Sequence, residues 1–172
     1  MDRRKALAAL TLPSLAFAQS KESRIRDRFI GVWKLVSCEF RDKATGEIQY
    51  PFGTTPIGRI TYDAAGRMSA QLMDPGRQKV GGSPTRALPA VIKEASCEDI
   101  RAMVTGFIAY FGTFSIDEPS RTVTHHVQSS LIPSWVGSDL RRSYEFSGAD
   151  QLILTAISEQ GTSRLVWQRD AA

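Results

Sequence analysis

Hydrophobic and polar residues alternate along short runs of this chain, and a period of two is typical of strands with one buried face. Turn-forming residues, such as those at 43–46 and 117–120, separate the runs. The pattern predicts strands over residues 31–41, 47–50, 58–63, 67–73, 109–117, 121–130, 138–147, 151–158 and 162–169. Eight or nine antiparallel strands at this spacing indicate an all-β domain, either a closed barrel or a sandwich.

One stretch between the fourth and fifth predicted strands has a helical period instead. Apolar residues recur at helical spacing over residues 96–107, and Ser96 is a suitable N-cap with Glu98 and Asp99 in the first turn. We therefore expect one short helix over these residues. The preceding segment, 74–89, is rich in Gly, Pro, Arg and Lys and is expected to be the least ordered part of the domain.

Alternation also assigns side chains to the two faces of each predicted strand. The apolar row of the sixth strand contains His125, which is therefore expected inside, whereas His126 faces solvent. The apolar row of the seventh strand contains Arg142. In the first strand, Glu39 continues the row that begins at Trp33.

These inward polar residues point to a ligand pocket, because buried polar groups cost free energy unless they pair with each other or with a ligand. His125 is either a satisfied structural histidine, a ligand contact or a catalytic acid or base. Arg142 either pairs with Glu39 or an aromatic ring, or anchors a carboxylate, enolate or phenolate. Trp135 is either a lid at a barrel mouth or a hydrophobic plug. The residues expected to contact a ligand are Glu39, Tyr62, Met68, Tyr110, Phe114, His125, Trp135, Arg142 and Tyr144.

Short motifs that begin with Gly31-Val32-Trp33 follow one another along most of the chain. The others lie at residues 50–53, 58–62, 66–73, 110–114, 123–127, 133–137 and 165–169. Over about residues 30–169 the chain resembles the bacterial and fungal lipocalin-like domain family. The resemblance implies a closed antiparallel up-and-down lipocalin-like barrel of about eight to nine strands with one short helix and an internal cavity. It also implies that Trp33 closes one end beneath a basic side chain, for which Arg169 is the candidate. It implies no particular reaction.

The N-terminus has the pattern of a secretory signal peptide over residues 1–18. A basic start at 3–5 is followed by an apolar run at 6–15 and by Ala-Phe-Ala at 16–18. The run is too short to span a bilayer, and an amphipathic helix packed on the domain is the alternative. The pair at 3–4 is compatible with twin-arginine export. We expect a lipocalin-like β-barrel domain over 19–172, periplasmic or secreted, with no integral membrane segment.

Charge and composition exclude several other classes of function. Without residues 1–18, the 22 basic and 18 acidic residues fall to 19 and 17, and a net charge of +2 gives no case for nucleic-acid binding. Two histidines on opposite faces build no metal site, no nucleophile elbow or phosphate loop is present, and nothing places Ser, His and Asp as a triad. We expect no cofactor and no metal. Cys38 and Cys97 either form a disulfide or stay free.

The leading hypothesis is an exported protein that binds a small hydrophobic or aromatic molecule with one polar or acidic end inside the barrel. The alternative is a cofactor-free isomerase, cyclase or lyase in the same cavity, where His125 moves a proton and Arg142 stabilises an oxyanion. A third reading is a barrel filled by its own side chains, with a partner at its surface. The sequence leaves the ligand and the oligomeric state open.

Overall fold

The computed structural model describes residues 25–83 and 85–170, so the predicted signal peptide at 1–18 lies outside the described residues. Within them, each of the nine predicted strands forms to within two residues of its expected bounds. The strands are β1 Gly31–Asp42, β2 Ile48–Gln49, β3 Ile57–Tyr62, β4 Arg67–Met73, β5 Phe107–Asp117, β6 Thr122–Ser130, β7 Asp139–Ser147, β8 Gln151–Ile157 and β9 Gly161–Arg169.

The strands form a closed barrel, which confirms the predicted fold class and excludes the sandwich. Every pair is antiparallel, and β1 and β3 to β9 follow one another around the barrel in sequence order. β1 closes the ring because its first residues pair with β3 while most of its length pairs with β9. β2 is an extra short strand that pairs with the end of β1. Closure leaves the eight main strands without a free edge.

The helices differ from the prediction of one helix over 96–107. Residues 25–29 form a helical segment, α1, and two further helices lie between β4 and β5: α2 Leu88–Glu94 and α3 Cys97–Val104. A capping box starts α3 as expected, since the Ser96 side chain accepts a hydrogen bond from the Asp99 N–H and the Asp99 carboxylate accepts one from the Ser96 N–H. α2 was missed because it has no side-chain cap and no acidic first turn.

One end of the barrel is closed by aromatic side chains, which we call the aromatic plug. Phe29 of α1 is fully buried and makes edge-on contacts with Tyr62 at 5.3 Å and with Tyr144 and Phe146, each at 5.0 Å between ring centroids. The indole N–H of the buried Trp33 donates to the Phe29 carbonyl oxygen at 2.8 Å. The helical segment α1, which precedes β1, therefore contributes the central side chain of the aromatic plug.

Arg169 covers this plug from the last strand, in the way that the family resemblance implied. Its guanidinium lies 4.1 Å from the ring centroid of Trp33 and donates to the carbonyl oxygens of Ile30 and Arg28 at 2.9 and 2.7 Å. Gly31 has a φ of +131°, and a Cβ there would lie 2.8 Å from the guanidinium, so the Gly-x-Trp opening requires glycine. One cation thus stacks on the indole and donates hydrogen bonds to two carbonyl oxygens.

Two further observations concern the chain as a whole. Cys38 is buried and Cys97 is exposed, and both are free cysteines, so the disulfide left open by the sequence does not form. None of the helices that the structure describes is long and apolar enough to cross a membrane.

Candidate functional site

A cavity of about 500 Å³ occupies the barrel between the aromatic plug and the opposite end. This volume falls in the range of ~300–1,000 Å³ that is usual for small-molecule sites. Most of the wall consists of apolar side chains that alternate inward from the strands. Examples are Phe40, Ile60, Leu72, Ile108, Leu140, Leu154 and Trp167.

The strand register orders the cavity wall by depth. Ile60 lies at the level of Trp33 in the β1–β3 ladder, and Trp167 lies opposite Leu35 in the β1–β9 ladder, so both belong to the floor next to the plug. Phe52 and Trp135 lie in the connections before β3 and β7, at the barrel end away from α1. The cavity therefore has an apolar floor inside the barrel and a mouth formed by loops.

His125 joins two tyrosines across the barrel interior. It is 1% exposed, its Nε2 lies 2.8 Å from the Tyr62 hydroxyl, and its Nδ1 lies 3.0 Å from the Tyr110 hydroxyl. A neutral imidazole has one donor and one acceptor, so one tyrosine donates to the ring and the other accepts from it. The three side chains come from β3, β5 and β6, and they satisfy each other's polar groups.

Burial keeps this Tyr62–His125–Tyr110 chain neutral. Burial, aided by the positive charge of Arg142, lowers the pKa of His125 to about 3. Burial also raises the pKa of both tyrosine hydroxyls above their usual value. An imidazole with both nitrogens engaged and so low a pKa is poorly suited to acid–base catalysis near neutral pH.

The depressed pKa of His125 predicts a pH dependence of stability. Between its usual value of 6.5 and about 3, the unfolded chain binds a proton at this position and the folded chain does not. The stability that the neutral His125 contributes is therefore complete above about pH 6.5. Below that pH the free energy of unfolding falls by up to ~1.4 kcal/mol per pH unit. Urea unfolding from pH 7.5 to 4.5 measures this slope. His125→Gln should flatten it relative to the wild type, and equal slopes would contradict the assignment.

Arg142 brings a positive charge to the cavity wall, as alternation predicted. Its side chain is half-buried, and one guanidinium nitrogen donates to the Arg141 carbonyl oxygen at 2.9 Å. Across residues 25–83 and 85–170, no carboxylate forms an ion pair with it and no aromatic ring stacks on it. Both internal pairings considered for Arg142 in the sequence analysis, with Glu39 or with an aromatic ring, are therefore wrong.

The predicted inward position of Glu39 is also wrong, because β1 contains a bulge. The register with β9 shifts between Leu35 and Ser37, and a shift of one residue exchanges the two faces of a strand. Cys38 and Phe40 line the cavity in place of Glu39. Burial, aided by the negative charge of Glu39, raises the pKa of the Cys38 thiol to about 11, so the thiol is protonated at neutral pH.

The remaining predicted ligand contacts separate into two groups. Tyr110, His125, Trp135 and Arg142 line the cavity. Tyr62, Met68, Phe114 and Tyr144 are buried core residues that do not line it. Tyr62 reaches the site only through its hydrogen bond to His125.

Trp135 sits at the mouth on a short 3-10 turn, Pro133–Trp135. Its ring packs edge-on against the Tyr110 ring, with the centroids 5.8 Å apart. Trp135 therefore contacts one of the two tyrosines that are hydrogen-bonded to His125. At the floor, the buried indole N–H of Trp167 has no hydrogen-bond partner in the part of the chain that the structure describes. Trp167 was missed as a site residue, although its inward position follows from alternation in β9.

The second histidine lies on the outer face of the barrel, as expected. Its ring nitrogens lie 2.9 Å from the Ser115 hydroxyl and 2.6 Å from an Asp139 carboxylate oxygen. The three thus form a Ser-His-Asp arrangement that the sequence analysis did not predict. The side chains of His126 and Asp139 are 41% and 62% exposed, and none of the three lines the cavity. Among the described residues, no group of three or more His, Cys, Asp or Glu is placed to hold a metal ion.

A closed eight-stranded barrel with one plugged end and an internal apolar cavity belongs to the class of small antiparallel β-barrels, whose interior either is filled by side chains or holds one ligand. The chain belongs to the lipocalin-like domain family, whose model matches residues 30–170.

Two solved structures are similar at 11% sequence identity. A redesigned β-barrel gives a TM-score of 0.43 over 86% of this chain and 96% of its own. Fatty-acid-binding protein 1 of Echinococcus granulosus gives 0.39 over 84% and 99%. No curated protein matches the chain.

Proposed function

We propose that this protein binds a small, largely apolar molecule with an acidic group inside its barrel. The observation that carries the proposal is Arg142, whose half-buried side chain lines an apolar cavity of about 500 Å³ without an ion-pair partner in the described chain. A cation that loses hydration in apolar surroundings gains from a counter-charge. A carboxylate on a bound molecule supplies that charge with two acceptor oxygens for the guanidinium.

Other groups in the cavity wall support an acceptor-rich ligand head. The Tyr110 hydroxyl lies in the wall and is held by His125, and the buried Trp167 N–H is a donor without a partner in the described residues. The positive charge of Arg142 also acts on the Tyr62 and Tyr110 hydroxyls, where it lowers the pKa against the effect of burial. A few polar groups within an apolar wall are typical of a site that orients one end of a ligand.

The neutral, doubly hydrogen-bonded His125 favours this binding function over proton transfer. Because its pKa is low and both of its nitrogens are engaged in hydrogen bonds, it is poorly placed to gain or lose a proton near neutral pH. The described residues therefore support a carrier or receptor for an acidic amphiphile better than an isomerase, cyclase or lyase.

Titration calorimetry with dodecanoate and dodecanol tests the proposal, because these ligands share a chain and differ in charge. We expect one molecule of dodecanoate to bind per barrel and to bind more tightly than dodecanol. Native mass spectrometry of protein purified from its own host should show a bound small molecule. Failure of both dodecanoate and dodecanol to bind would favour a filled barrel. Equal affinities for the two would show that the site does not recognise an acidic group.

We also propose that the protein is exported and that residues 1–18 are removed. The supporting observation is the basic, apolar and Ala-Phe-Ala order of these residues. Mass measurement of secreted or periplasmic protein should place the mature N-terminus near Gln19. An intact Met1 on protein recovered from the cytoplasm would contradict export.

A further inference from the structure

A second apolar depression of about 450 Å³ opens on the outside of the barrel mouth, and we call it the outer groove. Only apolar side chains and one glycine line it. They are Pro51, Phe52, Val104, Gly106, Phe107, Ile108, Leu131, Ile132 and Pro133. Val104 is 47% and Leu131 is 38% exposed, so part of this apolar surface faces water. It joins the end of α3, the start of β5 and the connection after β6.

The outer groove continues the cavity, because Pro51, Phe52 and Ile108 belong to the walls of both. Phe52 is 6% exposed and lines both spaces. Its turn is held closely: the Gly53 N–H donates to the Tyr50 carbonyl oxygen at 3.0 Å, and a Cβ on Gly53 would lie 3.2 Å from the Asp74 carboxylate. The ring therefore belongs to the wall that the cavity and the outer groove share.

The depth of the cavity limits the ligand that fits within it. The lining residues Trp167 at the floor and Ser163 at the mouth are four positions apart on β9. At ~3.3 Å per residue and with a strand tilt of ~35–45°, the depth is about 10 Å. An extended chain advances ~1.2 Å per bond, so about eight bonds fill it. A longer unbranched chain bound at Arg142 must leave the cavity at the mouth.

We infer that the outer groove holds the distal part of the ligand, which is a long-chain amphiphilic carboxylate. Its head lies at Arg142, at most its first eight to ten carbons fill the cavity, and the remainder passes Phe52 onto the outer groove. This inference rests on the proposed function and adds the length of the ligand to it. The apolar wall shared by the two spaces makes the groove a continuation of the same binding site.

A series of unbranched saturated carboxylates tests the inference, titrated at concentrations below micelle formation. Decanoate reaches the mouth, and tetradecanoate and hexadecanoate extend beyond it. Full burial of one CH₂ corresponds to about a fourfold gain in affinity. The groove covers the chain on one side only, so we expect about a twofold gain per CH₂ beyond decanoate. Hexadecanoate should then bind about 60-fold more tightly than decanoate.

Leu131→Gln tests whether the gain in affinity with chain length arises in the outer groove. It places a polar side chain on a partly exposed wall of the groove without changing the barrel interior. We expect it to lower the ratio of hexadecanoate to decanoate affinity at least fivefold. The matched control is Phe111→Gln, since Phe111 is 52% exposed on the outer face of β5 and lies outside the groove. Its affinity ratio should equal that of the wild type.

Each outcome decides between the two proposals. A gain that is lost in Leu131→Gln and kept in Phe111→Gln supports the outer groove as the tail site. Affinity that stops rising at decanoate, or a gain that Leu131→Gln leaves intact, overturns the groove while carboxylate binding in the cavity stands. Absence of binding for the whole series overturns the proposed function and the groove with it.

Discussion

Replacing His125 with leucine should lower the free energy of unfolding by about 2–6 kcal/mol. The imidazole satisfies two buried tyrosine hydroxyls, at 2.8 Å for Tyr62 and 3.0 Å for Tyr110. Leucine offers neither a donor nor an acceptor, and each hydroxyl left unsatisfied in the interior costs ~1–3 kcal/mol. Urea unfolding at pH 7.5, followed by tryptophan fluorescence, measures the loss.

The neighbouring histidine provides a matched control. His126→Leu removes hydrogen bonds to Ser115 and Asp139 at the exposed outer face, where water replaces them, so we expect a change below ~1 kcal/mol. Equal small losses in both variants would mean that water already satisfies the two tyrosines. That result would make His125 a ligand contact in an open site rather than part of the barrel's internal structure.

The barrel could be predicted closely because alternation is a local property. Each strand buries one face, and the alternation of hydrophobic and polar residues shows which residues belong to that face. Even the shortest predicted strand is therefore present. The choice between barrel and sandwich needed the family resemblance, because closure depends on the pairing of β1 with β9. Residues far apart in the sequence, such as Leu35 and Trp167 at a separation of 132 positions, meet only after the ring closes.

The candidate site was only partly predictable, for two physical reasons. Alternation placed His125 and Arg142 inward, but it carries no information on which side chains meet across the interior, so the hydrogen bonds of Tyr62 and Tyr110 to His125 were missed. Glu39 was assigned wrongly because the bulge in β1 interrupts the period of two. The segment around Ser37 and Cys38 has no glycine that would have signalled the bulge.

Replacing Arg142 with methionine should weaken dodecanoate binding by about 10- to 100-fold and leave dodecanol binding within about twofold. Methionine keeps much of the length and apolar stem of arginine and removes its charge. A hydrogen bond to a charged group contributes ~1.5–3 kcal/mol, and an alcohol head does not draw on that charge. Because no ion pair of the described chain is broken, the free energy of unfolding should change little.

Arg141→Met separates this local effect from the loss of one positive charge anywhere on the protein. Arg141 precedes Arg142 on β7 and is exposed, so its side chain belongs to the opposite face of the strand. We expect its dodecanoate affinity to stay within about twofold of the wild type, because an exposed charge is screened by solvent. Equal losses for dodecanoate and dodecanol in Arg142→Met would show that the side chain shapes the cavity. A loss confined to dodecanoate and absent from Arg141→Met would place the acidic head of the ligand at Arg142.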